Sequence, residues 1–557
     1  SSTVGLLYAT APEAVDWRWC GDKARTDEGV GGWGRDLGEP EQHDGDSSHN
    51  GGTVEQVHNE FGNLWIERVY RGMKDDFPEV RPFLMPRAGT SGMQRFATFP
   101  WTGDIQRSWS GLQAQIPALI SASMSGVGYM GSDVGGFAAP NGEIDAELYL
   151  RWVEFATFSP AMRTHSAVNP EPYHDSYKNI IDDVRRYLNM RYSYLPYTYT
   201  LAYENATTGM PLARPINFHS ESSSTGAGCT DEYLWGRDIL VAPVINSSTS
   251  RQITFPQGRW VDLNDLSRVY DGNTTISYDA PLSLLPHFGR QGSFITRYTQ
   301  ESYTTTGEID HTALSITYLM SDDANSTVTA KIYDDDRIST RSLEDNAYLL
   351  TTIIGQQLEL GHQIEFDHDG SGYADMPQSR TMTIQIPQFT DNIDHIGSTS
   401  PTATYDLTSD GGFISLTSKA ASHEADAPAY YLAYDKTLYL KADVPTYGNT
   451  AIFIANSESD PTSISSVAAD ASGIMLEYSA TTGVFSYSMP SGLSDATITV
   501  YDVAGMATDL IGGLTADGTV RQTAPTCALS GGLYLATLQA RNADGSTLTR
   551  TVKIGVR

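Results

Sequence analysis

Cysteine is nearly absent from this chain of 557 residues: Cys20, Cys229 and Cys527 lie far apart and are odd in number. That excludes a disulfide framework and a Cys-x-x-Cys metal site, so burial must hold the fold. Basic residues are scarce as well. With 36 Lys and Arg against 67 Asp and Glu, the net charge of −31 excludes nucleic acid, whose phosphates call for clustered cations. It also argues against an anionic membrane surface, whereas a neutral ligand such as a sugar meets no Coulomb penalty on approach. No apolar run approaches the ~18 residues that a membrane span needs, so membrane insertion is not expected. Heptads and solenoid periods are missing too. The stretch after Ser1 reads as the interior of a domain rather than as a signal peptide, and the N-terminus is therefore expected to have been cut.

Aromatic residues, by contrast, are plentiful. The 31 Tyr, 17 Phe and 9 Trp in a chain that is 40% hydrophobic suffice for several cores at roughly 100–200 residues per domain. Up to about Pro211, extended runs alternate with helical ones. The series begins with Val30 to Asp36, then an amphipathic stretch from Val54 to Lys74 with Val57, Phe61, Leu64, Trp65 and Val69 on one face. Extended pieces come next at 81–87, 99–104, 127–133 and 158–163, with helices expected over 107–124, 144–155 and 177–203. This is βαβ patterning and implies a parallel sheet. Five strand-plus-helix units are counted where a closed (β/α) barrel has eight, so further strands are expected before Ser1. An open partial barrel would expose apolar strand edges, and the chain alone should then be poorly stable and weakly active.

Beyond Pro211 the pattern turns to short strands. The expected fold class is α/β plus all-β: the C-terminal part of a TIM (β/α)8 barrel followed by β-sandwich domains. The expected domains are 1–210 (partial catalytic barrel), 211–300 (proximal sandwich), 301–456 (distal sandwich) and, after a Ser-rich linker at 457–466, 467–557 (a last small β-domain).

Two aspartates stand out in this frame. Asp36, in Trp33-Gly34-Arg35-Asp36-Leu37-Gly38-Glu39-Pro40, and Asp104, in Trp101-Thr102-Gly103-Asp104, each end an extended run before a helical one. That is the rim where a barrel presents its chemistry. Retaining cleavage of a glycosidic bond needs one carboxylate to attack the sugar and another to protonate the leaving oxygen, about 5 to 5.5 Å apart. Desolvation beside Trp101 should hold Asp104 protonated, while Arg87 or Arg163 nearby would keep Asp36 ionised. The plainer alternative is that each aspartate caps the helix after it. Asp133, in Gly131-Ser132-Asp133-Val134-Gly135-Gly136-Phe137, is either a turn residue or an acceptor for sugar hydroxyls. Arg163 and His165 are either a structural pair at a strand end or donors to hydroxyls and to the nucleophile.

These segments resemble glycoside hydrolase family 31. Gly32 to Glu41, Arg87-Ala88-Gly89-Thr90-Ser91-Gly92, Trp101 to Asp104, Gly131 to Phe137, Glu147 to Trp152, Phe158-Ser159-Pro160 and Arg163-Thr164-His165 stand in the family's order. Arg191 to Tyr197 and Gly258 to Asp262 extend the likeness, which covers about Pro12 to Gln300. The resemblance implies a retaining α-glycosidase with Asp36 as nucleophile and Asp104 as acid/base. Arg87, Trp101, Asp133, Phe137, Arg163 and His165 would line the sugar subsite. The Asp-Leu-Gly-Glu-Pro-Glu form is closer to bacterial α-glucosidases and α-1,4-glucosyltransferases than to the Asp-Phe-Gly-Glu form of α-xylosidases. α-Xylosidase or α-galactosidase activity, or a catalytically silent carbohydrate-binding protein, are the alternatives. The family's Trp two places before the nucleophile stands three places before it here, so either the strand bulges or the subsite wall is altered.

The last β-domain resembles the C-terminal sorting domain of type IX secretion substrates in Bacteroidetes, through Ile498 to Gly505, Gly531 to Leu538 and Thr551 to Arg557. It implies a secreted or cell-surface protein and the outer-membrane secretion machinery as a partner. The substrate partner implied is an oligosaccharide or α-glucan. Tyr333-Asp334-Asp335-Asp336 is expected to be a solvated loop, and 367–372 lacks the later carboxylates of a calcium loop. His43, Asp44, Asp46 and His49 are expected to form a polar rim over the pocket. No metal and no cofactor are expected.

Overall fold

A computed structural model of the chain describes residues 9–38, 43–139, 142, 145–168, 171–220, 225–323, 325–358, 361–391, 393–399, 414–415, 428–456, 474–479, 483–501, 507–529, 532–542 and 547–556. Its first part runs α1 (Pro12–Asp27), β1 (Trp33–Arg35), a small hairpin of β2 (Ser48–His49) and β3 (Gly52–Thr53), α2 (Val54–Asp76) and β4 (Leu84–Pro86). Then come α3 (Trp109–Gln113), α4 (Gln115–Met124), β5 (Gly131–Val134), α5 (Ala146–Thr157), β6 (Ala161–Thr164), α6 (Ile181–Ser193) and α7 (Leu195–Thr208). β1 pairs in parallel with β4, and β5 with β6. Parallel bridges from Leu84 to Thr98 and from Trp101 to Gly131 insert the 98–101 segment between the two pairs. The result is five parallel strands in chain order, matching the five extended runs, and their C-terminal ends share one rim. Among the described residues no further strand pairs with the outer edge of β1 or β6.

Several element boundaries differ from the sequence expectation. α1 is an addition to it: the helix buries only Val15 and Asp22, and so it carries no apolar stripe to announce it. The helix expected over 107–124 breaks at Ala114, where Pro117 in the next turn can supply no N–H to the preceding turn. The long helix expected over 177–203 is two, α6 and α7, separated at Tyr194 ahead of Pro196. Capping fixes the other starts. Thr53 and Gln56 form a capping box at α2, and Ser108 and Asp145 accept N–H groups from Gly111 and Leu148.

The β-part is layered. A six-stranded sheet runs, in spatial order, 269–271, 259–262, 287–290, 239–241, 233–235 and 213–214, with an antiparallel pair of Ser250–Phe255 and Thr274–Asp279 beside it. Trp260, Phe255, Phe288 and Leu240 fill the space between. Ser293–Tyr298 pairs with Ala313–Leu319 and so opens a second six-stranded sheet, which shares a core with the five-stranded sheet containing Thr327–Asp334 and Leu349–Leu358. The C-terminal part holds a four-stranded antiparallel sheet (507–511, 494–501, 532–541, 547–556) and a three-stranded one around Val484–Ser488, with a core of their own.

Two charged locks join the layers. Arg151 and Glu154 of α5 are both fully buried, 3.0 Å apart, and Arg151 also donates to the Ser248 and Ala280 carbonyls of the first sandwich. The second lock corrects an expectation. The acidic turn at 334–336 is not a solvated loop, because Asp335 is 1% exposed and accepts from Arg81, Tyr199, Tyr333 and Ser342. Burial pushes its carboxyl up, but these donors outweigh burial and hold it below the usual carboxylate range. Arg81 stands shortly before β4, so this lock ties the barrel to the distal sandwich. At 367–370, Asp367 and Asp369, at the end of the strand Gly361–Asp369, each accept the next backbone N–H.

Candidate active site

Parallel strands deliver the candidate residues to one rim. Asp36 directly follows β1, Arg87 directly follows β4, and Asp104 lies beyond the 98–101 segment. Asp133 and Arg163 lie on β5 and β6, with Phe137 and His165 just past them. Neither Asp36 nor Asp104 caps a helix, since Thr53 and Ser108 hold those positions. The capping alternative is thereby removed.

Arg87 draws the two aspartates together. Its Nε lies 3.1 Å from Asp36 Oδ1 and its Nη1 lies 3.8 Å from Asp104 Oδ1. Both carboxylates face solvent, at 61% and 53% exposure, while Arg87 itself is 11% exposed. A nearly buried cation thus presents two accessible carboxylates side by side. The desolvation expected at Asp104 is not found, because half of its side chain is open and Trp101 turns elsewhere.

Backbone conformation sets these positions. Leu37 takes a left-handed φ of 60° immediately after Asp36 and donates its N–H to Asp36 Oδ1 at 3.0 Å. A non-glycine residue pays on the order of 1–3 kcal/mol for that conformation, a strain typical of functional turns. Gly103, with φ 80°, provides the corresponding bend before Asp104. The Asp104 loop is then tied down: the Ile105 carbonyl accepts from Phe137 and Ala138 N–H, and Arg107 donates to Ser166 Oγ and the Val168 carbonyl. No sequence motif singles out Arg107, whose reach across two loops leaves no local signal.

Asp133 forms the floor. It is fully buried on β5, not a free turn, and accepts a charged hydrogen bond from Arg163. Arg163 therefore pairs with Asp133 and not with Asp36, and its guanidinium lies over the Trp101 ring, 4.7 Å from the centroid. Burial raises the Asp133 carboxyl above its usual range against the pull of Arg163 and His165, and Asp104 pushes in the same direction. Its second oxygen, Oδ2, is buried with no hydrogen-bond partner among the described residues, as is the Trp101 indole N–H. Unpaired buried polar atoms cost about 1–3 kcal/mol each and mark places where a hydroxyl-bearing ligand gains most. His165 stacks on Phe137 at 5.2 Å, forming a flat wall.

The shifted tryptophan also finds its reason. The register Trp33 to Leu84, Gly34 to Met85, Arg35 to Pro86 is regular, so β1 does not bulge. Arg35 points away from the rim and is 4% exposed, ion-paired to Asp22 of α1 at 2.5 Å, with Trp33 and Trp65 against its guanidinium. Burial lowers its pKa to about 10. Trp33 packs toward the helix layer, its indole N–H 3.3 Å from Thr26 Oγ1 of α1 and its ring under the Arg35 guanidinium. His43 and His49, expected at the rim, meet beside Phe61 of α2.

Residues 3–201 match the model described as the glycosyl hydrolases family 31 TIM-barrel domain, and 209–295 match that of the glycosyl hydrolase family 31 C-terminal domain. The chain belongs to glycosyl hydrolase family 31. Alpha-glucosidase 2 of Bacillus thermoamyloliquefaciens is 36% identical over 298 residues, which is 50% of this chain and 37% of that protein. The sulfoquinovosidase of Escherichia coli K12 is 32% identical over 297 residues, 52% of this chain and 43% of that protein. The chain thus spans less than half the length of these two relatives. In fold it resembles the Flavobacterium johnsoniae GH31 dextranase complexed with glucose, at a TM-score of 0.71 and 24% identity, over 80% of this chain and 56% of that one. The family's TIM-barrel domain and C-terminal β-domains are therefore both represented.

Proposed function

We propose that the chain supplies the catalytic carboxylates of a retaining α-glycosidase acting on α-linked glucose. Asp36 is the nucleophile and Asp104 the acid/base. The observation that carries this reading is the shared contact of both carboxylates with Arg87 on one exposed rim. Asp36, oriented by its contact with Arg87, attacks the sugar carbon and forms the covalent glycosyl-enzyme. Asp104, open to solvent, gives a proton to the leaving oxygen in the first step and takes one from water or a sugar hydroxyl in the second. Asp133 accepts sugar hydroxyls through Oδ2, Arg163 and the Trp101 indole donate to others, and Phe137 with His165 walls the ring. The choice of glucose is supported by the 36% identity to an α-glucosidase. Hydrolysis and transfer share the covalent intermediate and differ in whether water or a sugar hydroxyl resolves it.

Incubating the chain with maltotriose tests this reading. Glucose release or longer oligomers, lost by at least a hundredfold in both Asp36→Asn and Asp104→Ala, is the expected result. Turnover that both substitutions leave unchanged would refute it. Longer oligomers indicate transfer, and glucose alone indicates hydrolysis.

We propose further that the protein is exported, with the strands at 494–556 acting as a sorting signal for surface secretion. Support comes from the likeness of their motifs to such domains. Appending residues 467–557 to a periplasmic reporter in a host with that machinery should send it to the surface; retention in the periplasm would contradict the proposal.

A further inference from the structure

Asp104 does little to fix its own place. Its carboxylate is half open to solvent, and the Arg87 contact at 3.8 Å is longer than a hydrogen bond. The side chain is therefore aimed by the backbone that follows it, and that backbone is stitched to two other loops of the rim. The Ile105 carbonyl accepts from the Phe137 and Ala138 N–H groups at 2.9 and 3.0 Å, and the Arg107 N–H donates to the Ala138 carbonyl at 2.8 Å. Gly136, at φ 83°, lets the two chains touch, since a Cβ there would stand 2.5 Å from the Arg107 Cα. From this second loop the stitching passes to the one that carries His165. The Phe137 carbonyl accepts from the Ala167 N–H at 3.1 Å and from the Ser166 hydroxyl at 3.0 Å.

The Arg107 side chain spans all three loops. Its Nη2 donates to Ser166 Oγ at 2.5 Å and to the Val168 carbonyl at 2.6 Å, so it runs directly from the loop of Asp104 to the loop of His165. Ser166 Oγ is thereby used in full: its proton goes to the Phe137 carbonyl, and its lone pairs take Arg107 and the Val168 N–H. Donors carried by a guanidinium hold such a network more tightly than neutral ones. The loops follow successive strands and carry, in order, Asp104, Phe137 and His165.

We propose that Arg107 is a positioning residue for the acid/base, setting Asp104 at a fixed distance from the Phe137–His165 wall. This rests on the assignment of Asp104 as acid/base. Proton transfer to the leaving oxygen needs the two oxygens within about 2.6–3.2 Å of each other, and a misplacement of about 1 Å costs on the order of a hundredfold. Losing the Arg107 donors loosens that distance without touching Asp36 or Arg87, which follow β1 and β4. The loss is therefore selective for the step in which a proton is delivered.

The experiment compares kcat/KM, which reports formation of the glycosyl-enzyme, for the unaltered chain, Arg107→Met and Arg107→Lys on two substrates. Maltotriose expels a sugar oxygen that must be protonated, whereas α-glucosyl fluoride expels fluoride, which leaves unaided. Arg107→Met should lose at least about tenfold on maltotriose and less than about threefold on the fluoride, and Arg107→Lys should recover part of the loss, because an ammonium restores a charged donor without the fork. Equal losses on both substrates, or no loss on maltotriose, would overturn the proposal. Hydrogen exchange supplies an arm that needs no turnover. The Arg107, Ala138 and Val168 amides should exchange at least about tenfold faster in Arg107→Met, with those of α4 unchanged. Unchanged exchange at these three amides would also overturn it. Turnover of neither substrate by the unaltered chain, with the exchange result as expected, would overturn the glycosidase reading and leave Arg107 as the tie between the loops.

Discussion

Arg163 and Asp133 show how one ion pair shapes the site. Asp133 has no solvent to fall back on, so removing its partner strands a buried carboxylate at a cost of about 3–5 kcal/mol. Arg163→Ala should lower the urea midpoint accordingly, and Asp133→Asn made in the same chain should recover part of the loss, because the stranded charge is then gone. Equal midpoints for Arg163→Ala and the unaltered chain would show that Asp133 is held by other means. At this scale the motifs are informative, because Asp, Arg and Trp in short glycine-rich runs leave few other uses for themselves. What they do not reveal is partnership. Arg163 belongs to Asp133 and Arg87 to Asp36, and only the pairing of adjacent strands decides between them.

Among the elements, the five parallel strands are legible from alternation, since the switch between strand and helix periods survives in single sequences. Helix breaks and α1 are not. Proline effects at Pro117 and Pro196 end helices whose apolar pattern continues, and α1 has too narrow a buried face to stand out. Nor is the Arg81–Asp335 lock, which joins residues separated by most of the barrel sequence and the whole first sandwich. Asp335→Ala would leave Arg81, Tyr199, Tyr333 and Ser342 without their shared acceptor. We expect a loss of about 3–5 kcal/mol, read as an earlier urea transition. An unchanged transition would show that the lock adds nothing to the junction of barrel and distal sandwich.

For the molecule as a whole, the most telling titration is that of a single buried histidine. His287 lies where the first β-sheet meets α6 and α7, between the Tyr194 hydroxyl and the Leu285 carbonyl, and burial holds its pKa down at about 4. In the unfolded chain it titrates near the ordinary value of about 6.5. Between these two values the unfolded state carries a proton that the folded state refuses, so the stability due to His287 is fully present above about pH 6.5 and falls by about 1.4 kcal/mol per pH unit as the pH drops toward 4, and His219 and His311, also held down at about 4, act in the same direction. His287→Gln should make that part of the stability curve less steep. A slope unaffected by the substitution would locate acid sensitivity elsewhere. The layered β-part is visible in the sequence as short strands and turns, while the partner of each strand is not, since register across sheets depends on contacts no local pattern encodes.

In the proposed reaction Asp36 attacks the sugar. The most direct measurement is peptide mapping by mass spectrometry after treating the chain with a fluorinated glucosyl fluoride, which forms the covalent intermediate and hydrolyses slowly. One sugar adduct per chain is expected on the peptide carrying Asp36, abolished by Asp36→Asn and retained in Asp104→Ala. An adduct on Asp104, Asp133 or any other carboxylate would contradict it.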